Sequence, residues 1–464
     1  MVTESPSTSS PERVEEDSMP FEESENEMDE QKFLEKWTYN IRSDFTSSSG
    51  MPATWAAGHP KHWGQEKAKV RLDGDATTPT LSPDDQFVAV GIGKEIQIFR
   101  VGTQERVEVL HGHPGEVVTV LFAPGLVQGS SGNARYLLAS QSEEEGVVGG
   151  FIMIWGLDHN GRQVSSSLTG KPEQSPSSFD VDSPAAADGS FHQFPGELGS
   201  FGSPIFSPDS KTMVYVVPNI TIHAYSRECQ SQPSVNLWDV ESRSLRHELR
   251  GHTDAVMWIG ISPDGSLAAS ISWDGTARIW DIGSGDAVHI LGPLDGQLWC
   301  GAFSPDSKHL AVSQGDPASI YIYDLTTAQA ISRLEIPTWM RSMAWSPDGA
   351  LFAGGLENGT LGIWDPYAGM KQLQLWSLGF EDEMMQDYAT IEGVRFIDGG
   401  QKLMFRILEG TVEVYDFKTN TKQQFTRSAD DKIAKCPRGE MVCSKDSRLL
   451  VVPDVDGALR LWSL

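Results

Sequence analysis

The chain has 464 residues, with 36 Lys and Arg against 64 Asp and Glu, for a formal net charge of −28. Binding to nucleic acid or an anionic membrane requires a basic surface, and no cluster of Lys and Arg interrupts this acidity, so neither is an expected partner. The four cysteines predict no disulfide framework, and neither a secretory signal nor a membrane span is recognisable, so we expect a cytoplasmic and/or nuclear protein.

The N-terminal region differs in composition from the rest. Residues 1–36 contain twelve acids and three bases with almost no apolar content, which predicts a disordered acidic tail. Apolar residues recur at helical spacing within 33–41. We therefore expect residues 37–66 to form a short helix and loop that packs on the following domain, with docking into a partner's groove as the alternative. His59 and His62 lack a carboxylate or Cys at ligand spacing, so no metal site is predicted.

A tight turn recurs through the remainder of the chain. Proline presets the backbone for such turns, and alternating apolar stretches flank each copy. The Ser-Pro form occurs at Ser82, Ser207, Ser262, Ser304 and Ser346, with degenerate forms at Ala123, Ile397 and Ser444. Successive turns lie 41, 84, 55, 42, 42, 51 and 47 residues apart. Residues 159–200 are rich in Ser, Gly and Pro, and removing this predicted flexible insertion reduces the interval of 84 to 42. The spacing predicts eight repeated units.

The stretch from Gly251 to Asp281 is the best-preserved unit. It opens with Gly251-His252, passes through a Ser-Pro-Asp-Gly turn and ends with Trp280-Asp281. These features closely resemble the WD-repeat (WD40) family, and the resemblance extends over residues 67–464. It implies an all-β propeller of eight four-stranded blades, with seven as the alternative count because the outlying units depart from the pattern.

The last unit ends at the third strand of its blade, near Trp462. Residues 67–72 alternate like a strand and precede the first unit. An unpaired sheet edge favours aggregation, so we expect this N-terminal strand to complete the last blade and close the ring.

The resemblance also assigns a hydrogen-bonded tetrad to His252, Ser270, Asp274 and Trp280. The same residue types could suggest a Ser-His-Asp hydrolase, but in the family they lie inside a blade. No phosphate-binding loop, nucleophile elbow or His-Glu-x-x-His motif is present. We therefore expect neither enzymatic activity nor a cofactor.

Six residues are candidates for partner binding. When the units are aligned on their turns, Met257, Trp299, Arg341 and Glu392 fall at equivalent positions on the face where inner strands begin. Trp273 and Trp339 are expected nearby. Trp and Arg are the residue types most often found at binding hot spots. The alternative is that the tryptophans pack between blades.

The resemblance implies that partners dock on the face around the central channel, so we expect a non-enzymatic scaffold that binds a peptide or protein on the central face of the propeller. We expect a monomeric propeller within a larger complex. A substrate receptor of a ubiquitin ligase and a chromatin-associated adaptor are more specific alternatives. An enzyme or small-ligand binder using the central channel is a further alternative, although among the four equivalent ring positions only Glu392 supplies a carboxylate.

Overall fold

The structure is a computed structural model of the whole chain. It describes residues 49–57, 66–128, 134–144, 150–164, 191–199, 202–218, 232–377, 390–408, 411–425, 441–454 and 457–464. The chain divides into two compact units, Met1–Asn40 and Ile41–Leu464, and every described residue belongs to the second. The predicted acidic tail, the helix candidate at 33–41 and the pair His59 and His62 lie outside the described residues.

In the described part of the chain, the strands pair into eight sheets, each one blade of a β-propeller. This confirms the predicted fold and the count of eight blades rather than seven. First strands of neighbouring blades contact each other and therefore lie at the centre of the ring.

The strands are as follows, in chain order. Two precede the first blade: β1 (Thr54–Trp55) and β2 (Glu66–Arg71). Blade one contains β3 (Thr80–Leu81), β4 (Phe87–Ile92), β5 (Glu95–Arg100) and β6 (Arg106–Leu110). Blade two contains β7 (Glu116–Phe122), β8 (Val127–Gln128), β9 (Ala134–Glu143), β10 (Phe151–Leu157) and β11 (Phe191–Pro195). Blade three contains β12 (Thr212–Val217), β13 (Ser234–Asp239) and β14 (Ser244–Arg250), and its inner segment is joined to β12 by isolated bridges.

The next three blades have four strands each. Blade four contains β15 (Val256–Ile261), β16 (Leu267–Ser272), β17 (Ala277–Asp281) and β18 (Ala287–Leu291). Blade five contains β19 (Leu298–Phe303), β20 (His309–Gln314), β21 (Ser319–Asp324) and β22 (Gln329–Glu335). Blade six contains β23 (Met340–Trp345), β24 (Phe352–Leu356), β25 (Thr360–Asp365) and β26 (Lys371–Ser377).

The last two blades complete the ring. Blade seven contains β27 (Ile391–Ile397), β28 (Lys402–Ile407), β29 (Val412–Asp416) and β30 (Thr421–Phe425), with a short 3-10 turn at Asp398–Gly400. Blade eight contains β31 (Val442–Cys443), β32 (Leu449–Asp454) and β33 (Ala458–Ser463).

The recurring Ser-Pro turn joins the first and second strands of a blade, and its side chains fix its shape. In blade four, the Ser262 hydroxyl donates to the Asp264 carboxylate at 2.6 Å and accepts from the Leu267 amide at 3.0 Å. Local bonds of this type favour turns over continued strands. The same hydroxyl-to-carboxylate bond occurs at Ser82, Ser207, Ser304, Ser346 and Ser444.

The closure of the ring agrees with prediction. Strand β2 pairs antiparallel with β33, from Glu66 opposite Trp462 to Arg71 opposite Ala458, and so forms the outer strand of blade eight. It spans 66–71, one residue earlier than the predicted 67–72.

The expected loop at 159–200 is shorter than predicted. Phe191–Pro195 is strand β11, which pairs with β10 and completes blade two. If all 42 residues of 159–200 were an insertion, blade two would have no segment to form its outer strand. The side chain of Phe194 also packs on blade three, because its ring stacks on Trp238 at a centroid distance of 4.6 Å.

Within the stretch predicted as helix and loop, 37–66, the described residues 49–57 contain a short strand at Thr54–Trp55. This β1 pairs in parallel with β30, the outer strand of blade seven. Its register is held by the Thr54 amide donating to Asn420 at 3.1 Å and the Ala56 amide donating to Lys422 at 2.9 Å. Blade seven thereby gains a fifth strand.

Apolar side chains form clusters that span neighbouring blades. Trp258 and Ile271 of blade four cluster with Leu298 and Val312 of blade five. Trp258 is only 1% exposed, so its indole packs between the two blades. Because side chains between the blades are buried, exposed functional groups are to be expected in the loops at either end of the ring.

Candidate functional site

The tetrad residues of blade four form one continuous chain of hydrogen bonds. The indole of Trp280 donates to the Ser270 hydroxyl at 3.0 Å. That hydroxyl lies 2.7 Å from Nε2 of His252, whose Nδ1 lies 2.8 Å from the Asp274 carboxylate. The consistent arrangement is that Ser270 donates to Nε2 and Nδ1–H donates to Asp274. Ser270 has no solvent exposure, so its hydroxyl is inaccessible to a substrate.

The Asp274 carboxylate also contributes to stability in a pH-dependent way. Burial opposes its ionisation, but hydrogen bonds from His252 and Thr276 outweigh this and hold the pKa of Asp274 below its ordinary value. A depressed pKa in the folded state stabilises the fold above the pKa of the unfolded chain, about 4, and this stabilisation is lost as pH falls further.

We therefore expect Asp274→Asn to lower the free energy of unfolding by about 1–3 kcal/mol at pH 7. The difference from the unaltered protein should shrink between pH 4 and pH 3, as measured by thermal melts across pH. The exposed Asp286→Asn on the opposite face is the matched control. A difference that stays constant from pH 7 to pH 3 would contradict this role for the carboxylate.

Blade two contains a second chain of hydrogen bonds, with three members, that was not predicted. The Trp155 indole donates to Ser140 at 2.7 Å, and Ser140 lies 2.8 Å from Nε2 of His113. Nδ1 of His113 has no hydrogen-bond partner among the described residues, and burial lowers the pKa of His113 to about 4. The Gly112-His113 pair was the available signal, but longer loops hide the spacing to Ser140.

The four aligned ring positions share one backbone feature. In blades four, six and seven, the inner strand has a β-bulge in which Met257, Arg341 or Glu392 is the extra residue. In blade five, Trp299 and Cys300 together stand opposite one residue of β20. A bulge redirects a side chain out of the regular alternation. All four ring residues are partly exposed.

Three tryptophans and one arginine form a continuous arc over blades four to six. The ring centroids of Trp273 and Trp299 lie 5.2 Å apart in an edge-to-face arrangement, and those of Trp299 and Trp339 lie 4.8 Å apart and stacked. The Arg341 guanidinium lies 5.7 Å from the centroid of Trp339 and forms an ion pair with Glu357 at 2.6 Å. We call Trp273, Trp299, Trp339 and Arg341 the aromatic arc.

Met257 and Glu392 are not joined to this arc by any described contact. Glu392 forms an ion pair with Arg406, which is 1% exposed, so its carboxylate balances a buried cation. Unpaired, that cation would be costly. Glu357, which was not predicted as a site residue, contacts the arc through its ion pair with Arg341.

The described residues offer little else for chemistry. No three His, Cys, Asp or Glu residues among them converge on a point that could hold a metal ion. Cys300 and Cys443 are free and buried, and burial raises their thiol pKa to about 12 and about 11. A protonated, buried thiol is a poor nucleophile. Within the same described residues, no helix is long and apolar enough to span a membrane.

Comparison with known families identifies the repeat. A family model described as WD domain, G-beta repeat matches residues 243–281 and 332–365. The first match begins one residue before the outer strand of blade three and the second begins within the outer strand of blade five, and each ends with the third strand of the next blade. Because a repeat in the sequence starts with the outer strand of the preceding blade, the outer strand of the last blade comes from the segment before the first blade, which is β2.

Curated relatives match parts of the chain. WD repeat-containing protein VIP3 of Arabidopsis thaliana is 30% identical over 146 residues, which cover 28% of this chain and 46% of the relative. Small ribosomal subunit protein RACK1y of Oryza sativa subsp. japonica is 30% identical over 179 residues, which cover 36% of this chain and 48% of the relative. The chain thus spans about half the length of the curated relatives it matches.

A solved structure shares the fold. Sqt1 of Chaetomium thermophilum, bound to the N-terminus of ribosomal protein L10, superposes with a TM-score of 0.61 at 14% identity. The match covers 86% of this chain and all of the other. At this identity, the likeness concerns the fold alone.

Proposed function

We propose, from the premise that this chain belongs to the WD-repeat family of β-propellers, that it is a non-enzymatic platform for protein binding. Its partner is a peptide or protein segment held on the face where the inner strands begin. The chain acts as a single propeller within a larger complex, in the cytoplasm and/or the nucleus.

The aromatic arc is the observation that carries this proposal. Its four side chains come from three consecutive blades, touch one another and remain partly exposed. The indole Nε1 atoms of Trp273 and Trp299 are buried without a hydrogen-bond partner among the described residues. Packing between blades accounts for a fully buried tryptophan such as Trp258, but not for three half-buried ones in a row.

The relatives suggest which partners to test first. One curated relative is named as a small ribosomal subunit protein, and the Sqt1 structure holds the N-terminus of a ribosomal protein. Segments of ribosomal proteins are therefore reasonable first candidates for this chain.

Affinity capture with the full chain as bait tests the proposal. Changing Trp299→Ala and Arg341→Ala together is expected to reduce capture of a specific partner by about 30-fold or more, the effect of losing a hot spot. The unfolding free energy should change by only about 1 kcal/mol, because the lost ring contacts are individually small. Quantitative mass spectrometry and thermal melts give the two measurements.

Tyr367→Ala provides a matched control, because Tyr367 is an aromatic residue, 49% exposed, in a turn at the opposite end of blade six. It should leave capture unchanged. Equal capture by the arc variant and the control would contradict the proposed face. A large loss of stability in the arc variant would show that the arc residues are packing residues.

A further inference from the structure

Three loops beside the aromatic arc, 273–276, 292–297 and 315–318, are joined by backbone hydrogen bonds, and we call them the ridge. The Leu294 amide donates to the carbonyl of Gly275 at 2.9 Å, and the Gly315 amide donates to the carbonyl of Gln297 at 2.8 Å. These two bonds tie the loop after β16, the loop before β19 and the loop after β20 into one unit. A preorganised surface of this kind loses little entropy on binding.

Gly315 is where this ridge meets the arc. A Cβ atom at Gly315 would lie 2.6 Å from Nε1 of Trp299, so the indole rests directly on the glycine backbone. The next residue, Asp316, is exposed, and its carbonyl oxygen lies so close to Gly296 that a Cβ atom there would overlap it. Asp295 and Asp316 therefore belong to adjoining backbone segments beside Trp299.

The loops of this surface carry acidic charge only, and its cations, Arg278 and Arg341, come from strands. In blades four to six, the loops on the face of the arc contain five acids and no Lys or Arg: Asp254, Asp274, Asp295, Asp316 and Glu357. Asp274 is engaged in the tetrad, and Glu357 is paired with Arg341. Asp295 and Asp316 form no hydrogen bond or ion pair among the described residues, and both are exposed.

The arc already holds one cation of its own. The Arg341 guanidinium lies over the Trp339 ring and against the Glu357 carboxylate, combining an aromatic ring with an acid. One blade earlier, Trp299 lies beside the backbone segments that carry Asp295 and Asp316, so an aromatic ring and acids again occur close together in the chain fold. No cation is recorded over the Trp299 ring among the described residues. Trp is the ring to which Lys and Arg side chains bind most strongly.

We infer that the aromatic arc and the adjoining ridge bind an extended basic segment of a partner protein, with a Lys or Arg side chain held by Trp299, Asp295 and Asp316. This inference rests on the proposed function and adds the chemistry of the partner. The ring centroids of Trp273 and Trp299 lie 5.2 Å apart and those of Trp299 and Trp339 lie 4.8 Å apart, so the path along the three rings is about 10 Å. Three extended residues can span that length. A short linear segment is therefore long enough.

Fluorescein-labelled nonapeptide pools test the inference directly. The pools share randomised flanks and differ only in the central residue, which is Lys, Arg, norleucine or Glu. Fluorescence anisotropy with the full chain should show the Lys or Arg pool binding at least about ten-fold more tightly than the Glu pool. Asp295→Asn with Asp316→Asn should weaken the basic pools about five-fold, leave norleucine binding unchanged and reduce the salt dependence. Asp286→Asn, on the opposite face, should change none of these.

The possible outcomes are distinct. Equal binding of all pools, tightest binding of the norleucine pool, or a basic preference that survives removal of both carboxylates would overturn the inference. If the Trp299 and Arg341 variant still loses its captured partner in that case, the face is correct and the partner chemistry is wrong. If that variant keeps its partner, the proposed function itself fails.

Discussion

Deletion of residues 1–75 is expected to lower the melting temperature by roughly 10 °C, at ~2 °C per kcal/mol for a domain of this size. The deletion removes β2, whose Val70 is buried in a cluster with Val90, Leu459 and Leu461. Loss of that side chain and exposure of its neighbours costs on the order of 5 kcal/mol. It also exposes the edge of β33, which should promote aggregation. Thermal melts and light scattering measure both effects.

A series of shorter deletions separates the contributions. Removal of residues 1–30 should leave the melting temperature unchanged. Removal of residues 1–57 takes away β1 but keeps β2, so a small decrease is expected. In the full chain, Val70→Glu should reproduce most of the loss through burial of a charge. If the chains lacking 1–30 and 1–75 melt at the same temperature, β2 does not close the ring.

The blade count and the closure were predictable because turns have local causes. Ser262 and Asp264 fix their turn through bonds between residues two positions apart, so each copy is visible in the sequence. Counting the copies located the strands, and the missing outer strand of blade eight pointed to residues 67–72. Strand β11 was missed because it follows a long insertion, where spacing carries no information.

The candidate face was predictable in position but not in detail. Alignment on the turns placed Trp299 and Arg341 at equivalent positions, which the structure finds at β-bulges. Alignment cannot show which side chains touch. The pairing of Arg341 with Glu357, and the rest of Trp299 on Gly315, depend on loop geometry set by contacts between blades.

The buried ion pair in blade seven was also beyond sequence prediction, because its significance depends on burial. The Lys422 ammonium lies 2.9 Å from the Glu413 carboxylate, and the two side chains are 3% and 1% exposed. Gln424 donates a further hydrogen bond to Glu413 at 3.3 Å, and the ring of Trp55, from β1, lies 5.0 Å from the ammonium. The N-terminal segment thus covers a charged pair buried inside blade seven.

Removing one member of this pair should be more damaging than removing both. Glu413→Leu leaves a buried ammonium, and Lys422→Met leaves a buried carboxylate, so each is expected to cost about 3–5 kcal/mol. The double variant places two apolar side chains of similar size together and should recover to within about 1 kcal/mol of the unaltered protein. Urea unfolding of all four proteins provides the coupling free energy. Additive losses in the double variant would show that the two charges are not energetically coupled, and Trp55→Ala would then be expected to have no effect beyond its own packing.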